Sequence, residues 1–368
     1  MSIRLSKPWL GDPSQLKRRL DEVLESGFLV QGRLVAEFEA GAAEWLGVRQ
    51  AVAVSSGTAA LHLSLLACGI GPGDEVLVPA FTFPATANVV ELAGARPVLV
   101  DVDPESFNLD PDRLEAALTP RTRAIMPVHL FGNPAEMEAI LALAGKHGLA
   151  VIEDAAGAFG SRGRDRACGS FGAAGCFSFH PRKLITTGEG GLVVTGDPAL
   201  ADRLRRLRNH GLDAAGAFQA AGFNYRMTEL AAALGLNQLP EVDRMLAERQ
   251  ELAAAYRSRL AGLPGLAFQR VAGDSLSAWQ AFVVRIDGRE NRPLVAELKR
   301  AGVEANIGTY AIHRLDYYAR KYGYRPEDYP NADRLYRFCL ALPFYNGIPA
   351  PDLEVSARAL ADRLAGPV

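Results

Sequence analysis

The chain has 368 residues, 49% apolar and 22% charged, with 40 basic against 42 acidic side chains and a formal net charge of −2. That length suits two or three domains around a large core, and the composition excludes wholesale disorder. The charge balance argues against a nucleic-acid binder, no apolar run approaches the roughly 20 residues of a membrane span, and Met1 to Lys7 lack the apolar core of a signal peptide.

In chain order, apolar periodicity predicts helices over 16–25 and 38–46, a strand over 50–54 and, after Ser55-Ser56-Gly57-Thr58, a helix over 59–67. Strands are expected over 75–79, 97–102, 124–128, 149–153, 176–179 and 191–195, with helices over 86–92 and 134–147 between them. This alternation predicts an α/β domain with a mostly parallel sheet covered on both faces. Near Leu230 the texture changes. Helices over 230–239 and 240–260 meet at Pro240. Then come a strand over 279–286, a helix over 292–301, a short strand over 303–307 and helices over 332–339 and 353–365. The expected division is a large α/β domain, residues 1–244, and a smaller C-terminal α+β domain, residues 245–368.

Cys68, Cys168, Cys176 and Cys339 are scattered with no CxxC, which predicts free thiols in a cytoplasmic protein. The six histidines show no HExxH or HxH spacing, so no metal site is expected. Arg203 to Arg208 reads as a solvated basic helix face, and Gly69 to Gly73 as a loop, because it follows a helix rather than a strand.

Four constellations fall at strand ends in the large domain, where open α/β sheets hold their ligands. Ser55 to Leu61 opens a helix directly after a strand. Its free N–H groups and dipole suit a phosphate, although a plain helix cap reads equally well. The strand Val151-Ile152-Glu153 ends in Asp154, and a buried Asp needs a charged or protonated counterpart: a pyridinium nitrogen, an arginine or a metal. Of six lysines, Lys183 alone lies between two core strands, after Cys176-Phe177-Ser178-Phe179-His180-Pro181-Arg182 and before a Thr/Gly-rich turn. A lysine in a partly apolar cleft has a lowered pKa and can serve as a Schiff-base nucleophile. Pro79 to Thr86 ends a strand in two aromatics. Phe81 reads as core, and Phe83 as a side chain able to lie over a planar ring.

These pieces resemble a pyridoxal-phosphate enzyme of the aspartate-aminotransferase fold (fold type I) and, more narrowly, the DegT/StrS family of sugar aminotransferases. The matching stretches are 32–39, 55–79, 81–88, Val128-His129-Leu130-Phe131-Gly132, 152–160, 175–195 and Gly222-Phe223-Asn224-Tyr225-Arg226-Met227-Thr228-Glu229. The resemblance runs from Leu5 to about Pro343 and is most specific over Phe177 to Gly191, where the chain is most similar to the perosamine-synthase type.

The resemblance implies that Lys183 is the Schiff-base lysine, Asp154 the counterpart of the pyridine nitrogen, Gly57, Thr58 and Ser178 phosphate contacts, and Phe83 the stacking aromatic. Asn224 would reach the cofactor phosphate of a neighbouring subunit, which implies a homodimer with shared sites. His180 would lie near the substrate, Arg182 is a candidate contact for a substrate diphosphate, and Tyr310 and His313 are candidates for the substrate rim. The implied reaction aminates a keto sugar, a nucleotide-linked 4-keto-6-deoxyhexose, with glutamate as donor. A cyclitol or aminohydroxybenzoate type of aminotransferase is the alternative, as is a non-catalytic regulatory protein of the same fold. One departure stands out. Many relatives carry Gln or another side chain three residues after the Asp, whereas this chain has Gly157, which leaves room for water or another group.

Overall fold

The computed structural model describes residues 2–365. Seven strands form the main sheet: β1 (Gln50–Val54), β2 (Glu75–Pro79), β3 (Arg96–Val100), β4 (Thr122–Ile125), β5 (Ala150–Asp154), β6 (Ala174–Ser178) and β7 (Gly191–Thr195). Their spatial order is β1-β7-β6-β5-β4-β2-β3. Only β7 runs antiparallel to its neighbours; β2, β3, β4, β5 and β6 pair in parallel. Helices cover both faces, so β2 and β7 are buried at every position, which is why these strands read as continuous apolar runs rather than alternating ones.

Most boundaries fall within a residue or two of expectation, and two differences have local causes. The strand expected over 124–128 ends at Ile125. Pro127 cannot donate to the ladder, and Val128 rejoins the sheet only through a single bridge to Asp154. The helix expected from Pro134 begins at Met137, because Asn108 Nδ2 binds the carbonyls of Asn133 and Pro134 and holds them in a loop. The basic run Arg203 to Arg208 lies on the Pro198–Arg208 helix with Arg203 exposed and Arg205 and Arg206 half-buried, and the solvated-face reading fails only at its last residue. Arg208 is buried and pairs with Glu39 while donating to the Ala53 carbonyl.

The Val242–Leu260 helix leads to a second, antiparallel sheet of β8 (Leu266–Phe268), β9 (Phe282–Ile286), β10 (Asn306–Ile307) and β11 (Cys339–Leu342), in the order β8-β9-β11-β10. Cys339 to Leu342, expected as a helix end and its sequel, thus forms a central strand. Residues 279–281 do not join β9, because Trp279 sits at φ 47 and breaks the extended backbone. The two sheets are tied where the short strand Phe81–Thr82 pairs with Tyr310–Ala311. The N-terminal residues also dock on the second sheet: Ile3 N–H donates to the Gly302 carbonyl, Leu5 N–H to Glu304 Oε2, and Phe344 N–H to the Leu5 carbonyl.

Candidate active site

Because the five parallel strands run in one direction, their C-terminal ends share one edge. There they meet the second sheet around a cavity of about 370 Å³. Gly57, Thr58, Phe83, Asp154, Ser178, His180, Arg182 and Lys183, drawn from four separate stretches of sequence, all line it.

Asp154, the last residue of β5, is 5% exposed. Its Oδ2 accepts the Thr86 hydroxyl at 2.8 Å and its Oδ1 the Ala156 N–H at 3.1 Å. Thr82 Oγ1, 3.0 Å from Thr86 Oγ1, continues the chain of hydroxyls. Burial pushes the Asp154 carboxyl above its usual range, opposed by Thr86, the Ala156 N–H and the charge of Lys183. Lys183 stands in the turn between β6 and β7, its N–H bonded to the His180 carbonyl at 2.8 Å. Burial lowers its amine to about 8 against the pull of Asp154, and Arg182 adds to the lowering. His180 Nδ1 accepts the Arg182 N–H at 3.2 Å, so the neutral ring carries its proton on Nε2. Burial also lowers the pKa of this ring.

At the opposite wall, Ser56 caps the Gly57–Ala67 helix through the Ala59 N–H, which leaves the N–H groups of the first two helical residues, Gly57 and Thr58, unspent in the helix ladder. Gly57 is required for close approach, since a Cβ there would fall 2.7 Å from Ser178 Cβ. The helix terminus and the Ser178 hydroxyl are thereby brought together. Phe83 is 56% exposed, with Tyr310 packed edge-on at 6.1 Å. Tyr310 does not line the cavity; it props Phe83.

Besides Tyr310, His313 and Asn224 also lie outside this chain's cavity, the latter as its expected place at a neighbouring subunit requires. His313, expected at the substrate rim, is 1% exposed. The short helical turn Ile312–Arg314 carries it into the interior, where it stacks on Tyr329 at 5.2 Å and faces Asp333. Asn224 is exposed and outside its own chain's cavity, its Oδ1 accepting from Arg226 Nε at 3.0 Å. Conversely, Thr86 and Gln280 carry polar groups to the site that the sequence did not single out. A polar side chain inside the apolar run 278–284 was the available signal for Gln280.

A helix terminus with unspent N–H groups, a facing hydroxyl, an exposed aromatic, a buried carboxyl and a lysine of lowered pKa fit an anionic, ring-bearing aldehyde cofactor such as pyridoxal phosphate. Among the described residues no cluster of His, Cys, Asp and Glu could hold a metal ion, and no helix is long and apolar enough to cross a membrane.

Fold and cavity together define a lysine-bearing cofactor enzyme of the aspartate-aminotransferase fold. The chain belongs to the DegT/DnrJ/EryC1/StrS aminotransferase family, whose pattern matches residues 12–358, and is a pyridoxal-phosphate-dependent aminotransferase. It is 42% identical over 335 residues to a GDP-perosamine synthase of Caulobacter vibrioides, covering 89% of this chain and 90% of that one. It is 40% identical over 369 residues to the spore coat polysaccharide biosynthesis protein SpsC of Bacillus subtilis, covering 95% and 94%. The crystal structure of DesI in the presence of its TDP-sugar product superposes with a TM-score of 0.92 at 37% identity, covering 99% of this chain and 93% of that one.

Proposed function

We propose that this aminotransferase moves an amino group from glutamate to the keto carbon of a nucleotide-linked 4-keto-6-deoxyhexose and releases an amino sugar. The observation that carries the reading is the meeting, in one cavity, of Lys183 with its amine lowered to about 8, the buried Asp154 and the start of the Gly57–Ala67 helix with its unspent Gly57 and Thr58 N–H groups. Likeness to a protein named GDP-perosamine synthase and to DesI with a TDP-sugar supports the choice of substrate class.

When bound, pyridoxal phosphate supplies an aldehyde that carries the amino group and a ring that accepts the electron pair left by proton loss. In this reading Lys183 Nζ would hold the aldehyde carbon and, as a free amine, would move the proton at the reacting carbon. Asp154 holds a proton on the ring nitrogen, with Thr86 and the Ala156 N–H fixing its two oxygens. Gly57, Thr58 and Ser178 bind the phosphate. Phe83 covers the ring and keeps water from it. His180 and Arg182, at the cavity wall beside Lys183, face the sugar diphosphate.

The reading includes a homodimer in which Asn224 serves the neighbouring subunit's site. Support comes from its position outside its own cavity and from the nearby exposure of Phe28 (73%), Leu29 (48%), Val30 (41%) and Phe218 (73%). A bridge between Val30 and Thr228 ties residues 28–30 to the segment that carries Asn224. Four unpaired cysteines suit a cytoplasmic setting.

The test is a product assay. With glutamate as donor, UDP-, GDP- and dTDP-linked 4-keto-6-deoxyhexoses should be aminated far faster than free keto sugars, because diphosphate binding raises the rate at the distant carbon. Equal kcat/KM for a nucleotide sugar and a cyclitol ketone would move the assignment to the cyclitol branch.

A further inference from the structure

The space beside Gly157 is filled. A Cβ at Gly157 would lie 3.4 Å from Gln280 Oε1 and 3.5 Å from its Cβ and Cγ. Gln280 comes from the second sheet, on the segment just before β9, and reaches across the cavity. Its Nε2 donates at 3.1 Å to the carbonyl of Arg182, the peptide that immediately precedes Lys183. Gln280 Oε1 accepts no protein hydrogen bond among the described residues.

The backbone that aims this side chain is costly and heavily braced. Trp279 sits at φ 47, a left-handed conformation that a bulky residue adopts only against backbone strain. Trp279 Nε1 donates to Gln250 Oε1 at 3.0 Å. The Trp279 carbonyl accepts the buried Arg249 guanidinium at 2.6 Å, and Gln280 N–H donates to the Phe131 carbonyl at 2.9 Å. Gly132, at φ +88, closes the other side. A Cβ there would fall 2.9 Å from Trp279 N and 3.1 Å from Gln280 N. The Gln280 backbone therefore passes where only glycine fits at 132, and its side chain lies in contact distance of the space a side chain longer than alanine would need at 157.

The geometry points to Gln280 as a positioning residue for Lys183: a strut from the second sheet that fixes the Arg182–Lys183 peptide and occupies the slot a side chain at 157 would otherwise fill. The inference rests on the reading of Lys183 given above. A strained residue braced by a buried arginine, a tryptophan N–H and the backbone bond from Gln280 to Phe131 is more than packing requires. What it delivers is one donor to the peptide that carries the reactive amine. The lysine's reach thus depends on the second sheet as well as on its own turn.

The test is Gln280→Met, which keeps the side chain's length and removes the donor, beside Gln280→Ala and Gly157→Gln, all in the full-length holoenzyme. Losing one hydrogen bond should slow the glutamate half-reaction about five- to tenfold with KM changed less than about twofold. The pH midpoint of the cofactor's visible band should move by about half a unit while Tm stays within about 2 °C, because a local hydrogen bond and not the core is lost. Gly157→Gln should reproduce these changes by evicting Gln280, and joining it to Gln280→Ala should add nothing, as for two groups that compete for one slot. A wild-type pH midpoint and rate in Gln280→Met overturns the inference, as does a rate loss that only follows a falling Tm. Borohydride reduction with peptide mapping keeps the two claims apart. A phosphopyridoxyl label on Lys183 leaves the lysine's role standing whatever the Gln280 variants do, and a label on another lysine ends that role regardless of them.

Discussion

Two neighbouring carboxylates at the end of β5 lie on opposite faces of one strand and could hardly be more differently housed. Glu153 accepts four hydrogen bonds: from the N–H groups of Gly169, Phe171 and Gly172, each at 2.7 Å, and from His129 Nε2 at 2.9 Å. His129 Nδ1 accepts the Ala135 N–H, so the ring donates to Glu153 as a neutral imidazole. Asp154 accepts two and faces the cavity and Lys183. Both are buried, so burial does not tell them apart. What differs is unspent acceptor capacity beside a titratable group. A saturated carboxylate holds a fold together, and an unsaturated one is available for chemistry.

The sharpest test of that contrast is Asp154→Asn. It should slow the glutamate half-reaction by roughly two to four orders of magnitude while the chain stays folded and still forms the bond at Lys183. Near-normal rates measured by stopped-flow would make Asp154 as structural as its neighbour. The next test is pH. With its amine at about 8, Lys183 is about one-tenth neutral at pH 7, so cofactor recombination with the apoenzyme should speed up severalfold from pH 7 to 8 and level off above. Asp154 favours the ammonium form, so Asp154→Asn should move this midpoint to lower pH, whereas Glu153→Gln should leave it in place. A midpoint that ignores Asp154 would mean the two side chains do not sense each other. The smallest effect on turnover is expected for Glu153→Gln, with kcat per folded molecule within about twofold. An amide set against three backbone N–H groups should instead cost roughly 3 kcal/mol of stability, read as a drop of several degrees in Tm.

The main sheet was legible because its strands are short apolar runs punctuated by Gly, Pro and Ser, and because the residues beyond each one carry recognisable chemistry. Gly57, Asp154, Ser178 and Lys183 sit on that edge and were found there. The second sheet was not so legible. Cys339-Leu340-Ala341-Leu342 is buried throughout and too short to show a period of two, and the helix before it blurs its start. Trp279 to Ala281 reads as strand from its residues alone. Bonds to Gln250, Arg249 and Phe131, up to roughly 150 positions away in sequence, help hold the left-handed turn that aims Gln280. His313 was misplaced for a related reason: nothing local marks a turn that points a histidine inward at Asp333.

The docking of Leu5 has a consequence for synthesis. Leu5 lines the cavity, and its two backbone bonds go to Glu304 and Phe344. A ribosome releases these segments about 300 residues apart, at 5–20 residues per second, so the early segment waits on the order of 15 s or more for its seat to exist. During that interval the cofactor cleft lacks a wall. A nascent chain is therefore enzymatically incomplete until almost its entire length has emerged, whatever the main sheet has already achieved.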